Sequence, residues 1–162
     1  MTANPRTADT IEQGAKTPPK WLNVFMVMTL RIPILQRIVG RSVALISFIG
    51  RKTRTRYTIP VSYARDGSSL IILSRATRNW WHNFEANPHV ELRLAGHIVQ
   101  GRATAGLAAE DDLEAIRAFL EQRPIDARAY GLTADHDGRI DETDLRDLLG
   151  RLAVIEIELD DQ

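Results

Sequence analysis

From residue 42 onward, apolar side chains recur first at the period of strands and later at that of a helix. "SVALISFI" (42–49) is a short apolar run without helical spacing and reads as a buried strand. "RYTIPVSYA" (56–64) alternates, with Ile59, Val61 and Tyr63 on one face and Thr58, Pro60 and Ser62 on the other. Pro60 has no N–H for a ladder, so this strand is expected at an edge or bulged there. Tyr57 is expected on the strand's outer face. "RDGS" (65–68) turns the chain into "SLIILS" (69–74), a hairpin. "TRNWWHNFEANP" (77–88) reads as a short helix stopped by Asn87-Pro88. A second hairpin spans "HVELRLAGHIVQGRATA" (89–105), turning near Ala95-Gly96, with Val90, Leu92 and Leu94 facing one way.

The period then changes. "AAEDDLEAIRAFLEQRP" (108–124) carries Leu113, Ile116 and Leu120 on one helical stripe, with Glu110, Asp111 and Asp112 at its positive end. Pro124 ends it, and a loop through Tyr130 follows. "TADHDGRIDETD" (133–144) resembles a calcium loop in its Asp spacing, but Thr133 stands first and the short Asp144 last. An Asp-Gly turn leading to a helix capped by Asp141 or Thr143 explains the same residues. That helix, "ETDLRDLLGRL" (142–152), precedes a last strand, "AVIEIEL" (153–159). Five or six strands with few peripheral helices predict an α+β fold, mainly antiparallel β, built as a small barrel.

Upstream, residues 1–20 are rich in Thr, Pro and charge and read as a disordered tail. "WLNVFMVMTLRIPILQRIVG" (21–40) is an N-terminal helical segment broken at Pro33. Its longest charge-free run, Trp21–Leu30, falls short of the roughly 20 residues a spanning helix requires. It either packs on the domain formed by 41–162 or makes peripheral membrane contact through Arg31, Arg37 and Arg41.

Charge sharpens the picture. The net charge is zero, yet residues 13–65 hold ten Lys or Arg and no acid, and residues 66–162 hold ten Arg against nineteen acids. A local positive field suits a small anionic ligand or a membrane surface better than nucleic acid, for which no recognition helix or stacking platform is evident. With no cysteine there is no disulfide or thiol chemistry, which fits a cytoplasmic setting. No secretory signal is evident at the N-terminus.

The densest basic stretch is "GRKTRTR" (50–56), fixed between two predicted strands. Gly50 lets the backbone turn, and Arg51, Arg54 and Arg56 offer planar forks for phosphate or carboxylate oxygens, with Lys52 as a point charge. The spacing is not that of a Walker loop. In "NWWHNF", Trp80 and Phe84 share a helical face and Trp81 lies about 100° round, so one Trp can line a cleft while the other packs inward. His82, His89, His97 and His136 lack a common ligand spacing, so no metal site is expected.

In combination and order, "GRKTRTRYTIPVSYARDG" and "RNWWHNFEANPHVELRLAGHIVQGRATA" resemble the deazaflavin (F420)-dependent nitroreductase family of split β-barrel oxidoreductases. The likeness covers about residues 42–105 and implies an FMN-binding-like split barrel, coenzyme F420 as cofactor, and a homodimer. By position, Arg51, Lys52 and Thr53 would hold the cofactor's anionic tail, with Arg56 the nearest match to a later basic residue. Trp80, Trp81 and Asn83 would flank the cofactor. Tyr63 on the pocket wall and Tyr130 are the candidate catalytic hydroxyls. Many relatives have Gly where this chain has Arg54, and the later basic residue falls one place earlier here, which marks a divergent subgroup. One step along a strand reverses the side chain's face.

The resemblance implies hydride transfer from reduced deazaflavin to an electron-poor small-molecule acceptor, such as a quinone or nitro compound. FMN satisfies the same physical demands of a flat ring with an anionic tail. A non-catalytic cofactor- or lipid-binding barrel, with or without membrane contact, is the alternative reading.

Overall fold

The computed structural model describes residues 43–133 and 135–160. The expected tail (1–20) and helical segment (21–40) lie outside the described residues. Seven strands form one sheet: β1 (Val43–Ile49), β2 (Arg56–Ser62), β3 (Ala64–Asp66), β4 (Ser69–Arg75), β5 (His89–Leu94), β6 (His97–Leu107) and β7 (Leu152–Leu159). Their order is β2-β1-β5-β6-β7-β4-β3, and every neighbouring pair is antiparallel. The strand beyond the six expected is β3, which separates from the 56–64 run at Tyr63.

Alternation dictates which side each residue takes. Ala44, Ile46 and Phe48 of β1 share a core with Leu70 and Ile72 of β4, although three strands stand between them in the sheet. The sheet therefore curls about that core, which Val90, Leu92 and Leu94 of β5 and Ile155 and Ile157 of β7 complete. Each Val, Leu, Ile or Phe among them, fully buried, contributes about 1.5–3 kcal/mol relative to exposure. Pro60 lies in β2, the edge strand, where a missing donor is tolerated.

The opposite face of β4 and β7 buries Ile71, Leu73 and Val154 beneath the helices. These are α1 (Leu113–Gln122), α2 (Pro124–Ala129) and α3 (Glu142–Arg146). The expected stripe of α1 holds for the buried Ile116 and Leu120, while Phe119 replaces the half-buried Leu113 as its third anchor. A 3-10 turn, Glu110–Asp112, precedes α1, and Asp112 Oδ2 accepts from the Ala109 amide at 2.8 Å.

Three boundaries differ from expectation. Pro124 starts α2 at its first position, where a missing N–H costs nothing, so the expected loop is a helix. The 142–152 helix stops at Arg146 and gives way to turns that include Gly150, φ +70°. The 77–88 helix is only a 3-10 turn, Trp81–Asn83. There the Asn83 side chain takes the Trp80 carbonyl at 2.6 Å, competing with an α-helical hydrogen bond.

Candidate functional site

The basic stretch is a tight loop joining β1 to β2. Gly50 donates to the Thr55 carbonyl at 2.8 Å, and the Arg54 amide returns to the Gly50 carbonyl at 2.9 Å. Closing it puts Arg54 at φ +55°, in the left-handed region that favours glycine. Gly50 is demanded by crowding: a Cβ there would lie 2.6 Å from both Thr53 Oγ1 and Tyr57 Cε2. Thr53 Oγ1 and the Tyr57 hydroxyl are themselves 3.0 Å apart.

Against this loop stands the Trp-rich turn. The Arg51 amide donates to Asn83 Oδ1 at 2.8 Å, and Arg51 Nη1 lies 3.4 Å from Glu85 Oε2. Glu85 also meets His82 Nδ1 at 2.8 Å. That hydrogen bond first, then the charges of His82 and Arg51, holds the exposed Glu85 carboxyl below its ordinary value. Between loop and turn lies a cleft of about 320 Å³ lined by Gly50, Arg51, Lys52, Thr53, Tyr57, Asn79, His82 and Asn83. Lys52 makes no ion pair among the described residues, so its ammonium is available to an anion.

Arg51, Lys52, Thr53 and Asn83 are thus brought together on one cleft. Arg56 is not: it faces away from Tyr57 and pairs with Glu91 at 2.5 Å, reaching across β1. Arg54 lies outside the lining as well. Trp80 packs against the core and donates from Nε1 to Ser74 Oγ at 3.0 Å. Trp81 is buried in that core and stacks on His82, its centroid 3.6 Å away. The two indoles support the cleft without lining it.

Of the two tyrosines, Tyr63 lines a separate hollow of about 520 Å³ with Arg65, Leu94, Ala95, His97, Val99 and Leu159. Tyr130 lines neither hollow and donates to the Leu73 carbonyl at 3.3 Å in the helical layer. Burial, then the Asp126 charge, pushes its phenol up.

Tyr57 corrects the sequence reading. It pairs in register with Phe48, stacks on it at 5.9 Å and points to the cleft, where an outer-face position was expected. Its parity with Ile59 and Val61 was the available signal. Asn79 and His82 carry no such signal, since a turn has no face to count.

Asp135 spends its carboxylate on its own turn, accepting from Asp137 N at 2.9 Å and Arg139 N at 2.8 Å. Asp141 caps α3 by accepting from Thr143 N at 2.8 Å.

A curled antiparallel sheet with helices on one face defines a split β-barrel, here with a cationic cleft at a strand turn. The model of the F420H(2)-dependent quinone reductase family matches residues 21–136, and the chain belongs to that family. It is an F420-dependent oxidoreductase. No curated protein matches it. Among solved structures it is similar to one described as a domain-swapped dimer, at 15% identity over 88% of this chain and 100% of that one, TM-score 0.53. HutZ, the heme storage protein of Vibrio cholerae, matches at 10% identity over 75% and 84%, TM-score 0.52. An F420-H2 dependent reductase, FDR-A, matches at 17% identity over 73% and 95%, TM-score 0.49.

The residues present fit an anionic cofactor tail. Such a tail needs cations and N–H or O–H donors on one wall, and Arg51, Thr53 and a Lys52 with no ion pair among the described residues lie together there. The space beside Gly50 that a Cβ would fill brings the loop backbone close to Tyr57.

Proposed function

We propose that the protein reduces a quinone-type acceptor, with the deazaflavin tail held by Arg51, Lys52 and Thr53. The observation that carries this is the single cleft shared by those residues and Asn83, in a chain of the quinone reductase family. When bound, the cofactor supplies hydride to the acceptor. Asn83 would keep the Arg51 backbone in place, and Lys52 would add a point charge to the Arg51 fork.

The acceptor is assigned to the hollow beside Tyr63. Its walls include Leu94, Val99 and Leu159, an apolar surface for a ring, with Arg65 and His97 polar at hand. A quinone that takes hydride also needs a proton, and the Tyr63 hydroxyl is the candidate donor. A nitro compound satisfies the same hollow chemically. Tyr63→Phe should therefore lower acceptor turnover while leaving cofactor affinity unchanged.

The family match starts at residue 21, so segment 21–40 is proposed as part of the working protein, preceded by a tail and followed by the barrel at 41–162. Among the described residues no helix is long and apolar enough to cross a membrane. A homodimer is proposed, supported by the domain-swapped neighbour, and the cysteine-free chain suits a cytoplasmic setting. Quinone reduction by the F420-loaded protein, against nitroaromatic substrates and FMN-loaded protein, tests the reading. Failure with every quinone would remove it.

A further inference from the structure

His82 lines the basic cleft, and its ring is held from two sides. Trp81 stacks on it with planes 27° from parallel. Nδ1 lies 2.8 Å from Glu85 Oε1, and because an ionised carboxylate only accepts, Nδ1 carries the hydrogen there. Nε2 is left as the ring's remaining polar atom, without a hydrogen bond among the described residues. The neutral ring offers a lone pair at Nε2; the protonated ring offers a second N–H and a positive charge.

Among the described residues, Glu85 places negative charge in direct contact with the ring, and Arg51 and Lys52 of the β1–β2 loop place positive charge on the same cleft. Thr53, Tyr57, Asn79 and Asn83 complete the lining without charge. An anion entering the cleft offsets the charge of the two loop cations.

We propose that His82, oriented by Glu85, is a further anion-binding residue of this cleft, donating from Nε2 to a phosphate or carboxylate oxygen of the cofactor tail when its ring is protonated. The inference rests on the cofactor reading above for the identity of the anion. His82 binds, and Glu85 is a positioning residue that fixes which nitrogen faces the ligand. Binding then takes up a proton, so affinity rises as pH falls through the range in which imidazoles titrate.

The test is a fluorescence titration of F420 into the full chain at about pH 6 and about pH 8. It compares the wild type with His82→Gln and with Glu85→Gln, which keeps the shape of the turn should His82→Gln misfold. Comparing ratios between proteins cancels any titration of the cofactor itself. The wild type should lose about threefold to fivefold more affinity across that interval than His82→Gln, a size suited to a partly exposed charged contact. Glu85→Gln should lose most of that extra pH dependence, and calorimetry in two buffers should show greater proton uptake by the wild type than by His82→Gln. A wild type and His82→Gln with the same pH ratio overturn this inference and leave the tail site standing. No binding by the wild type at either pH overturns the cofactor reading, and this inference with it.

Discussion

The Arg51 amide donates to Asn83 Oδ1 at 2.8 Å, tying the basic loop to a turn 32 residues downstream. Asn83 is itself fixed by its own Nδ2, which donates to the Trp80 carbonyl at 2.6 Å. Asn83→Ala should therefore loosen the loop. A lost hydrogen bond of this kind is worth about 1 kcal/mol, so deazaflavin affinity should fall by roughly fivefold to tenfold. Thermal unfolding should move by only a few degrees. Binding titration and a melting curve on one preparation check both.

Gly50 is required by proximity. Gly50→Ala places a methyl 2.6 Å from Thr53 Oγ1 and the Tyr57 ring, where something must shift. Overpacking of this kind costs about 1–3 kcal/mol, read as a lower urea midpoint. Cofactor affinity should fall with it, because the displaced Thr53 and Tyr57 both line the cleft. Unchanged urea unfolding would show that the loop relaxes freely.

Among the described residues, Ala95 and Arg54 occupy backbone that favours glycine. Ala95 at φ +48° precedes Gly96 at φ +92°, the two positive angles of a type I′ hairpin turn. Ala95→Asn should stabilise the protein by about 0.5–1 kcal/mol, since Asn tolerates this region better. Arg54, at φ +55°, lies outside the cleft lining. Arg54→Gly should change F420 affinity less than about twofold, as expected of an exposed charge without a fixed partner. Equilibrium urea curves and the same binding titration measure both.

Acid sensitivity follows from two depressed carboxyls. Glu85 lies below its ordinary 4.5 chiefly through the His82 hydrogen bond, and Asp141 below its ordinary 3.8 chiefly through the Thr143 amide. A folded value below the unfolded one adds stability that is present above the unfolded value and lost as pH falls through the folded one. Between neutrality and about pH 5 both contributions should be intact. Below pH 4.5 the wild type should lose stability more steeply than Glu85→Gln, and below pH 3.8 more steeply than Asp141→Asn, in thermal melts against pH.

Much of this is legible in the residues. Val90, Leu92 and Leu94 alternate and are buried, because one face of an antiparallel strand must meet the core. Arg51, Lys52 and Thr53 could be placed together because a short loop between two strands has little freedom. Where Pro124 stands at N1 of α2, the same residue that ends one helix begins the next, and one letter does not say which. Arg56 departs from the cleft because strand parity turns it toward Glu91. His82 and Asn79 reach the cleft from a turn held by tertiary contacts, such as the Arg51–Asn83 bond, which no local period encodes.

The tail site is tested most directly by titrating F420 and FMN against the wild type and Arg51→Ala/Lys52→Ala. The wild type should bind F420 saturably at micromolar concentration and in preference to FMN. Two charge-assisted contacts of about 1.5–3 kcal/mol each, discounted for exposure, should make the double variant about tenfold to a hundredfold weaker at low salt. That gap should narrow as salt is added. Equal affinity of wild type and double variant would contradict the assignment of Arg51 and Lys52, and binding of neither cofactor by the wild type would contradict the whole account.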